Sequence, residues 1–272
     1  MAPKHGFKFD NPLYALDASL IDLSLKIFPW SHYAKGKGAM KLQVGLDLRG
    51  NIPAFANIVE SKTVDTQCAK LLKLPKGSIV VCDRGYTDYD WHKSLTVQGI
   101  GYVTRQKGNA VYQVITRNKV GKGTGVRSDS VIRYTARQSK KKYLPDVRQV
   151  IYDDEKTGQR YTFITNQFEL PEQTIADIYK QRWQVELFFK WIKQNLKIQS
   201  FLGTCKNAVM TQIWIAMCMS LLLAFIKFSN TIAALSFDIF EILREKRVGY
   251  FLHTTNETDT KAQTKLFNYY KN

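Results

Sequence analysis

The feature that most constrains the fold is a short apolar run that ends in an acidic turn. Residues 78–82 read Ser-Ile-Val-Val-Cys, and Asp83-Arg84-Gly85-Tyr86 follows directly. A short apolar run bounded by turn residues is typical of a strand that is covered on both faces. The carboxyl end of such a strand opens into a crevice of the sheet, where ligands commonly bind. We therefore predict that this strand delivers Asp83 to a functional site.

The flanking segments predict an α/β fold. Strands are predicted at 13–17, 21–28, 39–48 and 53–60, with a hairpin turn at 49–51 and a helix at 64–74. A helix at 88–98 and a strand at 101–105 follow the Asp83 strand. Antiparallel hairpins that precede alternating strands and helices predict a mixed sheet with helices packed against it.

A change of composition predicts an insertion between the sheet and the later helices. From residue 107 to about 166, Gly, Lys, Arg, Thr and Tyr dominate, with strand-like runs at 111–116, 131–136, 147–152 and 161–165. This pattern predicts a basic antiparallel β insertion. Helices resume at Pro171-Glu172 and are predicted to continue to about Arg247. The predicted domain boundaries are 1–106, 107–168 and 169–250, with a polar tail at 251–272.

The net charge limits the kinds of binding partner to expect, and the cysteine pattern indicates the cellular compartment. The chain has 40 Lys and Arg against 23 Asp and Glu, a formal net charge of +17. A polyanion is the expected partner; nucleic acid leads, an anionic membrane surface is the alternative, and evenly solvated lysines are the third interpretation. The 4 cysteines form no C-x-x-C pair. This argues against a zinc site and a disulfide framework, and it predicts a cytoplasmic protein.

One segment tests the expectation of a protein without membrane contact. Residues 209–228 are nearly continuously apolar and long enough to cross a bilayer. Thr211, Gln212, Ser220 and Lys227 interrupt the run, so we predict a buried core helix instead. The first ten residues contain no apolar stretch typical of a signal peptide.

Four polar residues near position 180 follow helical spacing. Tyr179, Arg182, Glu186 and Lys193 lie at offsets of 3, 4 and 7, which places them on one side of a helix. A carboxylate among two cations and a phenol suits a phosphate-bearing substrate and a metal ion. The alternative is ordinary: Glu186 forms helix salt bridges with the two cations, and Tyr179 simply packs.

Three acidic residues are candidates for a metal site. Asp17 ends the first predicted strand, Asp83 ends the buried strand, and Glu186 lies on the later helix. Carboxylates from strand ends and a packed helix form the hard oxygen site that Mg²⁺ or Mn²⁺ prefers. Two such ions would activate a water or a 3′-hydroxyl and stabilise the leaving oxygen of a phosphodiester. Taken singly, Asp17 also suits a cap and Asp83 a simple turn.

Together these segments resemble a known family. Leu16-Asp17-Ala18-Ser19, Phe28-Pro29-Trp30, Gly38-Ala39-Met40-Lys41, residues 81–86 and the spaced quartet look like the DDE transposases of bacterial insertion sequences. The closest branch is the one named for insertion sequence four, recognised by a YREK signature. The resemblance runs from about residue 13 to 228. It implies a ribonuclease H-like core, interrupted by a β insertion before the helix that carries the glutamate.

The resemblance also implies roles for the candidate residues. Asp17, Asp83 and Glu186 would be the catalytic triad and hold Mg²⁺ or Mn²⁺, as two ions. Tyr179, Arg182 and Lys193 would bind phosphates of the transposon end. The partners would be double-stranded DNA, as element ends and target, and further copies of the chain in a homo-oligomer. Family members have a helical region before the first aspartate, so a chain with sixteen residues there is expected to lack that region.

Two other functions fit the same residues. One is a ribonuclease H-like nuclease that does not transfer strands, and the other is a catalytically inactive DNA-binding remnant. In each case the basic groups of the insertion suit DNA phosphates, although a solvated surface is the alternative. These groups are Lys119, Lys122, Arg127, Arg133, Arg137 and Lys140 to Lys142.

Overall fold

The computed structural model describes residues 5–34, 36–121, 123–136, 144–155, 157–195 and 201–228. Ten strands of these residues form one sheet. They are β1 Leu13–Leu23, β2 His32–Ala34, β3 Lys37–Asp47, β4 Ile52–Glu60, β5 Ile79–Cys82, β6 Gly101–Arg105, β7 Tyr112–Asn118, β8 Val126–Tyr134, β9 Val147–Asp154 and β10 Gln159–Thr165. The α-helices are α1 Asp65–Lys70, α2 Tyr89–Val97, α3 Glu172–Gln181, α4 Trp183–Asn195 and α5 Lys206–Phe228.

The sheet is mixed, as predicted. Its order is β2-β3-β1-β5-β6-β10-β9-β8-β7, and β4 pairs with the remaining length of β3. Strand β5 runs parallel to β1 and to β6, and the other pairs are antiparallel. The predicted antiparallel insertion, β7 to β10, extends the same sheet through the pairing of β10 with β6. The fold class is therefore confirmed, while the exact domain boundaries stay predictions.

Helices cover both faces of the central strands. On one face, Val185 and Phe189 of α4 pack with Ala15 and Val81 in the main core cluster. On the other face, Trp91 of α2 belongs to a second cluster with strand residues that include Leu16, Val80 and Cys82. All four residues of β5 are buried, at 1% exposure or less. The prediction of a strand covered on both faces is confirmed.

Two predicted elements differ from the structure. The separate strand at 21–28 is wrong, and Asp17 does not end a strand, because β1 runs unbroken from Leu13 to Leu23 while it pairs with β3. Residues 24–28 form a turn instead, in which Ser24 O accepts from Ile27 N and Phe28 N. The helix predicted at 64–74 is shorter, since α1 ends at Lys70. Pro75 disfavours helical geometry at the residue before it, and the chain must then turn to enter β5.

Helix α5 is buried on one side only. Val209, Ile213 and Met217 are buried, whereas Trp214 is 40% and Ile215 52% exposed. The predicted core helix is therefore only partly inside. Among the described residues, Lys206–Ile226 is one helix long and apolar enough to span a membrane by length and composition, with a mean hydropathy of 2.1.

Some predictions fall on parts of the chain that the structure does not describe. These are the helical continuation to Arg247, the polar tail, and the basic residues Lys122, Arg137 and Lys140 to Lys142. The chain divides into two compact units, Met1–Leu221 and Leu222–Asn272. Of the second unit, the structure describes residues 222–228, the end of α5.

A buried histidine on α2 predicts a loss of stability in mild acid. His92 is 4% exposed and stacks on the Tyr102 ring at 4.4 Å between centroids. Burial lowers the pKa of His92 to about 4. An unfolded histidine has a pKa of about 6.5, so as pH falls below that value the unfolded state takes up a proton that the folded state refuses. The stabilisation from neutral His92 is fully present above the pKa of histidine in the unfolded state. It is lost as the pH falls from that value towards the pKa of His92 in the folded state.

His92 is expected to contribute a loss of about 2 kcal/mol in the free energy of unfolding between pH 7.5 and pH 5. Because the raised pKa of Asp17 acts in the opposite direction over the same range, the contribution of His92 is measured by urea unfolding at the two pH values as the difference between the wild type and His92→Gln. The matched control is His32→Gln, because His32 is exposed and its replacement should leave the pH dependence unchanged. A pH dependence in His92→Gln equal to that of the wild type would contradict the assignment.

Candidate active site

Asp17 and Asp83 lie side by side on neighbouring parallel strands. In the register of β1 and β5, Leu16 is opposite Cys82, so each aspartate is the next residue along its strand. Adjacent strands are about 4.8 Å apart, and matched positions of a parallel pair face the same way. Ala15 and Val81, two residues earlier, belong to the core on the α4 face. Both aspartates therefore point to the face on which α4 packs.

Each aspartate is held by a backbone N–H close to it. Asp17 Oδ1 accepts from Ala18 N at 2.8 Å, and Asp83 Oδ1 accepts from Gly85 N at 2.7 Å. The second bond caps the 3₁₀ turn Arg84–Tyr86. A Cβ at Gly85 would lie 2.9 Å from Asp83 Oδ1, so glycine permits this close approach. Asp83 is thus both a turn cap and a side chain directed at the sheet edge.

Two hydrogen bonds hold the turn after Asp83 in place. Tyr86 is 1% exposed, and its hydroxyl accepts from Gln43 Nε2 at 3.3 Å. On the other side, the Thr104 hydroxyl donates to Asp83 O at 2.9 Å. These contacts fix the loop that carries Asp83 to β3 and β6. The role of Gln43 was not visible in the sequence, because a single glutamine in a strand has no distinctive pattern.

The predicted quartet does not lie on one uninterrupted helix. Helix α3 ends at Gln181, α4 begins at Trp183, and Arg182 lies between them. The junction is tightened, since Arg182 N donates to Tyr179 O at 3.1 Å and Val185 N donates to Arg182 O at 3.2 Å. The expected single helix is interrupted at this one residue, although the backbone of Arg182 keeps helical dihedral angles, with φ at −53° and ψ at −30°.

Three of the four residues nevertheless lie together beside Asp17. Arg182 Nη2 lies 2.5 Å from Glu186 Oε1, and Nη1 lies 3.5 Å from Asp17 Oδ2. The guanidinium carbon is 5.6 Å from the centre of the Tyr179 ring. Tyr179, Arg182 and Glu186 thus meet Asp17 at the sheet.

Lys193 lies farther along α4. Its ammonium donates to Leu20 O at 2.7 Å, and burial lowers the pKa of Lys193. It lies seven positions after Glu186, which is about 10 Å along the helix axis. Lys193 therefore ties α4 to β1 instead of joining the group around Arg182.

Burial and the neighbouring charges shift the pKa of Asp17. Burial is the main reason why the pKa of Asp17 is raised to about 6, and the charges of Asp83 and Glu186 raise it further. The Ala18 N–H and the Arg182 guanidinium act in the opposite direction. The site is a partly buried cluster of anions with one guanidinium among them, and its carboxylate oxygens are the donors that hard divalent ions prefer.

The carboxylates are not closed around a common centre. Among the residues described, no three His, Cys, Asp or Glu side chains lie close enough to hold a metal ion as they stand. Arg182 lies between Asp17 and Glu186 and contacts both. The chemistry of the donors suits a metal ion, and the guanidinium occupies the position between two of them.

A further cation at the site was missed by the sequence reasoning. Arg105 ends β6, the strand next to β5, and its guanidinium carbon is 4.9 Å from the Tyr161 ring centre. Burial raises the pKa of Tyr179, and the charges of Arg182 and Arg105 oppose that rise. The available signal was its place at the carboxyl end of a predicted strand, beside the Asp83 strand.

Comparison with known proteins gives a consistent result. The family model described as Transposase DDE domain matches residues 8–223. The protein y4zB of Sinorhizobium fredii, named as a transposase, is 32% identical over 212 residues, covering 75% of this chain and 58% of that protein. A protein of Geobacillus stearothermophilus, named as a transposase for insertion sequence element IS5377, is 29% identical over 219 residues, covering 78% of this chain and 56% of that protein. The chain therefore spans just over half the length of these relatives.

A solved structure shares the fold. The cryo-EM structure of the piggyBac transposase synaptic complex with hairpin DNA superimposes with a TM-score of 0.52, over 95% of this chain and 57% of that chain. The sequences are 10% identical, so the likeness concerns the fold alone. It confirms the ribonuclease H-like mixed sheet.

Proposed function

The chain belongs to the Transposase DDE domain family, and from that premise we propose that it is the catalytic part of a transposase that cuts and joins DNA at the ends of an insertion sequence. One observation carries the proposal. Asp17 and Asp83 follow matched positions of two parallel strands, and Glu186 reaches Asp17 through Arg182. Carboxylates carried by the central strands and a packed helix suit catalysis that depends on fixed geometry.

We assign the three carboxylates as ligands of divalent metal, Mg²⁺ or Mn²⁺, as two ions. The DDE family is metal dependent, and the oxygen donors of Asp17, Asp83 and Glu186 fit such ions. Bound ions would supply Lewis-acid catalysis of phosphodiester hydrolysis and of attack by a 3′-hydroxyl. Backbone bonds to Asp17 and Asp83 hold these two side chains in place before any ion binds.

We assign the neighbouring cations to DNA phosphates. Arg182 presents a planar fork that matches a phosphate, and Arg105 adds a second charge beside Tyr179. Lys193 would contact the backbone farther along α4, as would Lys119, Arg127 and Arg133 of the insertion. The net charge of +17 favours double-stranded DNA as the partner. We further propose a homo-oligomer that acts on two ends in the cytoplasm, without membrane contact.

A nicking assay tests the proposal directly. The chain is incubated with Mg²⁺ and duplex DNA that contains the end of the element encoding it, and a separate target duplex is supplied. We expect metal-dependent nicks and joined products. Nicks without joining would indicate a nuclease without strand transfer. Salt-sensitive retention of DNA without metal-dependent cutting would indicate an inactive DNA-binding remnant.

The role of Arg105 predicts a change in the salt dependence of DNA binding. Each neutralised phosphate contributes about −0.9 to the slope of log affinity against log salt, so about four contacts mean roughly a hundredfold loss between 50 and 200 mM salt. Arg105→Met should reduce the magnitude of that slope by about one. Fluorescence anisotropy with a labelled duplex at several salt concentrations measures it.

The matched control for Arg105 is Lys76→Met. Lys76 is exposed and lies before β5, at the opposite end of the strand from Asp83. We expect its slope to equal that of the wild type. An unchanged slope in Arg105→Met would remove Arg105 from the DNA contact.

A further inference from the structure

Arg182 contacts two of the three proposed metal ligands. Its two terminal nitrogens contact Asp17 at 3.5 Å and Glu186 at 2.5 Å. The three side chains are 15%, 22% and 34% exposed, respectively, so these contacts are partly shielded from water. Shielding strengthens an ion pair relative to one on the open surface.

The fold holds this arginine in place. Arg182 lies in the tightened junction between α3 and α4, so its backbone is fixed by hydrogen bonds on both sides. Its guanidinium lies 5.6 Å from the Tyr179 ring centre, a distance at which a cation is attracted to an aromatic face. The contact with two acidic residues is therefore a built feature of the junction.

The guanidinium and a divalent ion would compete for the same oxygens. Asp17 and Glu186 each direct a carboxylate oxygen to Arg182, and no three acidic groups of the described residues are closed around an ion site. A metal ion among these carboxylates would lie within a few ångströms of a guanidinium that kept its present contacts. Two cations so close together repel each other strongly in a partly dry site.

We propose that Arg182 is a stand-in cation that keeps the metal site of the DNA-free chain shut, so that a divalent ion and the guanidinium are alternative partners of Asp17 and Glu186. A DNA phosphodiester is the anion that can accept the displaced guanidinium, because arginine binds phosphate through the same two-pronged contact. Metal binding and phosphate binding then favour each other by linkage. This inference rests on the proposed function, since it takes the three carboxylates as the metal site.

The test is Mn²⁺ binding to the DNA-free protein, measured by titration calorimetry. Arg182→Met removes the competing charge and should bind Mn²⁺ on the order of tenfold more tightly than the wild type. Arg182→Lys keeps a cation and should remain near the wild type. The control is Arg117→Met, an identical change at an exposed arginine of β7 at the far end of the sheet, which should leave the affinity unchanged.

The outcomes separate the two proposals. Equal or weaker Mn²⁺ binding by Arg182→Met overturns the stand-in role and leaves the metal site intact. Absence of Mn²⁺ binding in every variant overturns the metal site and the stand-in role together. If Arg182→Met fails to fold, the wild type is titrated with Mg²⁺ while the Arg182 side-chain Nε–Hε signal is followed by NMR, with Arg182→Lys giving the assignment. A signal that does not move at saturating Mg²⁺ overturns the inference.

Discussion

Asp83→Asn is expected to abolish metal-dependent DNA cleavage while the chain stays folded. The amide oxygen of Asn can still accept from Gly85 N, the bond that Asp83 Oδ1 makes at 2.7 Å, so the turn after β5 is retained. What is lost is one negative charge at the proposed metal site. A metal ion supplies several kcal/mol of transition-state stabilisation, so cleavage should fall by about a thousandfold or more.

Two comparisons separate a metal ligand from a structural residue. Asp90→Asn is the matched control, because Asp90 is exposed on α2 and only seven residues away in the chain. It should cleave like the wild type in the nicking assay. Asp83→Cys should regain part of its cleavage with Mn²⁺ but not with Mg²⁺, because sulfur ligands suit transition metals better. Wild-type cleavage by Asp83→Asn would refute the assignment of this residue.

The central strands were predictable because local pattern and tertiary environment agree there. Ile79–Cys82 is apolar throughout, and every one of its residues is buried. Gly101–Arg105 likewise begins and ends where the sequence places it. From the two strand ends alone, Asp83 could be placed at the carboxyl edge of the sheet. The same reasoning places Arg105 at the carboxyl end of the neighbouring strand, beside Asp83.

The differences arise where distant contacts override local pattern. Polar and small residues between Leu16 and Leu20 suggest an interruption, yet pairing with β3 carries β1 through them. No Gly or Pro lies near Arg182, so the sequence gives no signal that the helix is interrupted there. The interruption accompanies the contact of Arg182 with Asp17, which lies 165 residues earlier in the chain. Such a contact exists only once the whole sheet has formed.

The second large effect is expected at a buried ion pair in the insertion. Arg148 and Asp129 are 4% and 3% exposed, and Arg148 Nη2 lies 2.7 Å from Asp129 Oδ2. The sequence gives no sign of this pair, since two charged residues in a basic insertion suggest a solvated surface. Arg148→Met should lower the free energy of unfolding by about 3 to 5 kcal/mol, because it leaves the Asp129 carboxylate buried without its partner.

Urea unfolding at neutral pH measures this loss. Arg133→Met is the matched control, because Arg133 pairs with Asp146 at 2.7 Å in the same insertion but is 57% exposed. Its replacement should change stability little, since solvent screens such a pair. The double variant Arg148→Met/Asp129→Leu removes both charges and should recover most of the stability. Similar losses for Arg148→Met and Arg133→Met would show that burial of the pair does not matter.

Arg148 also links the insertion to the helices of the site, which gives the pair a second consequence. Its Nη1 donates to the carbonyl oxygens of Gln167, Phe168 and Leu170, the residues that lead into α3, at 2.9, 3.3 and 2.5 Å. These bonds hold the start of α3, the helix that precedes Arg182. In the double variant they stay broken although the buried charges are gone. We therefore expect DNA cleavage to remain reduced after stability has returned, and full recovery of both would limit Arg148 to stabilising the insertion.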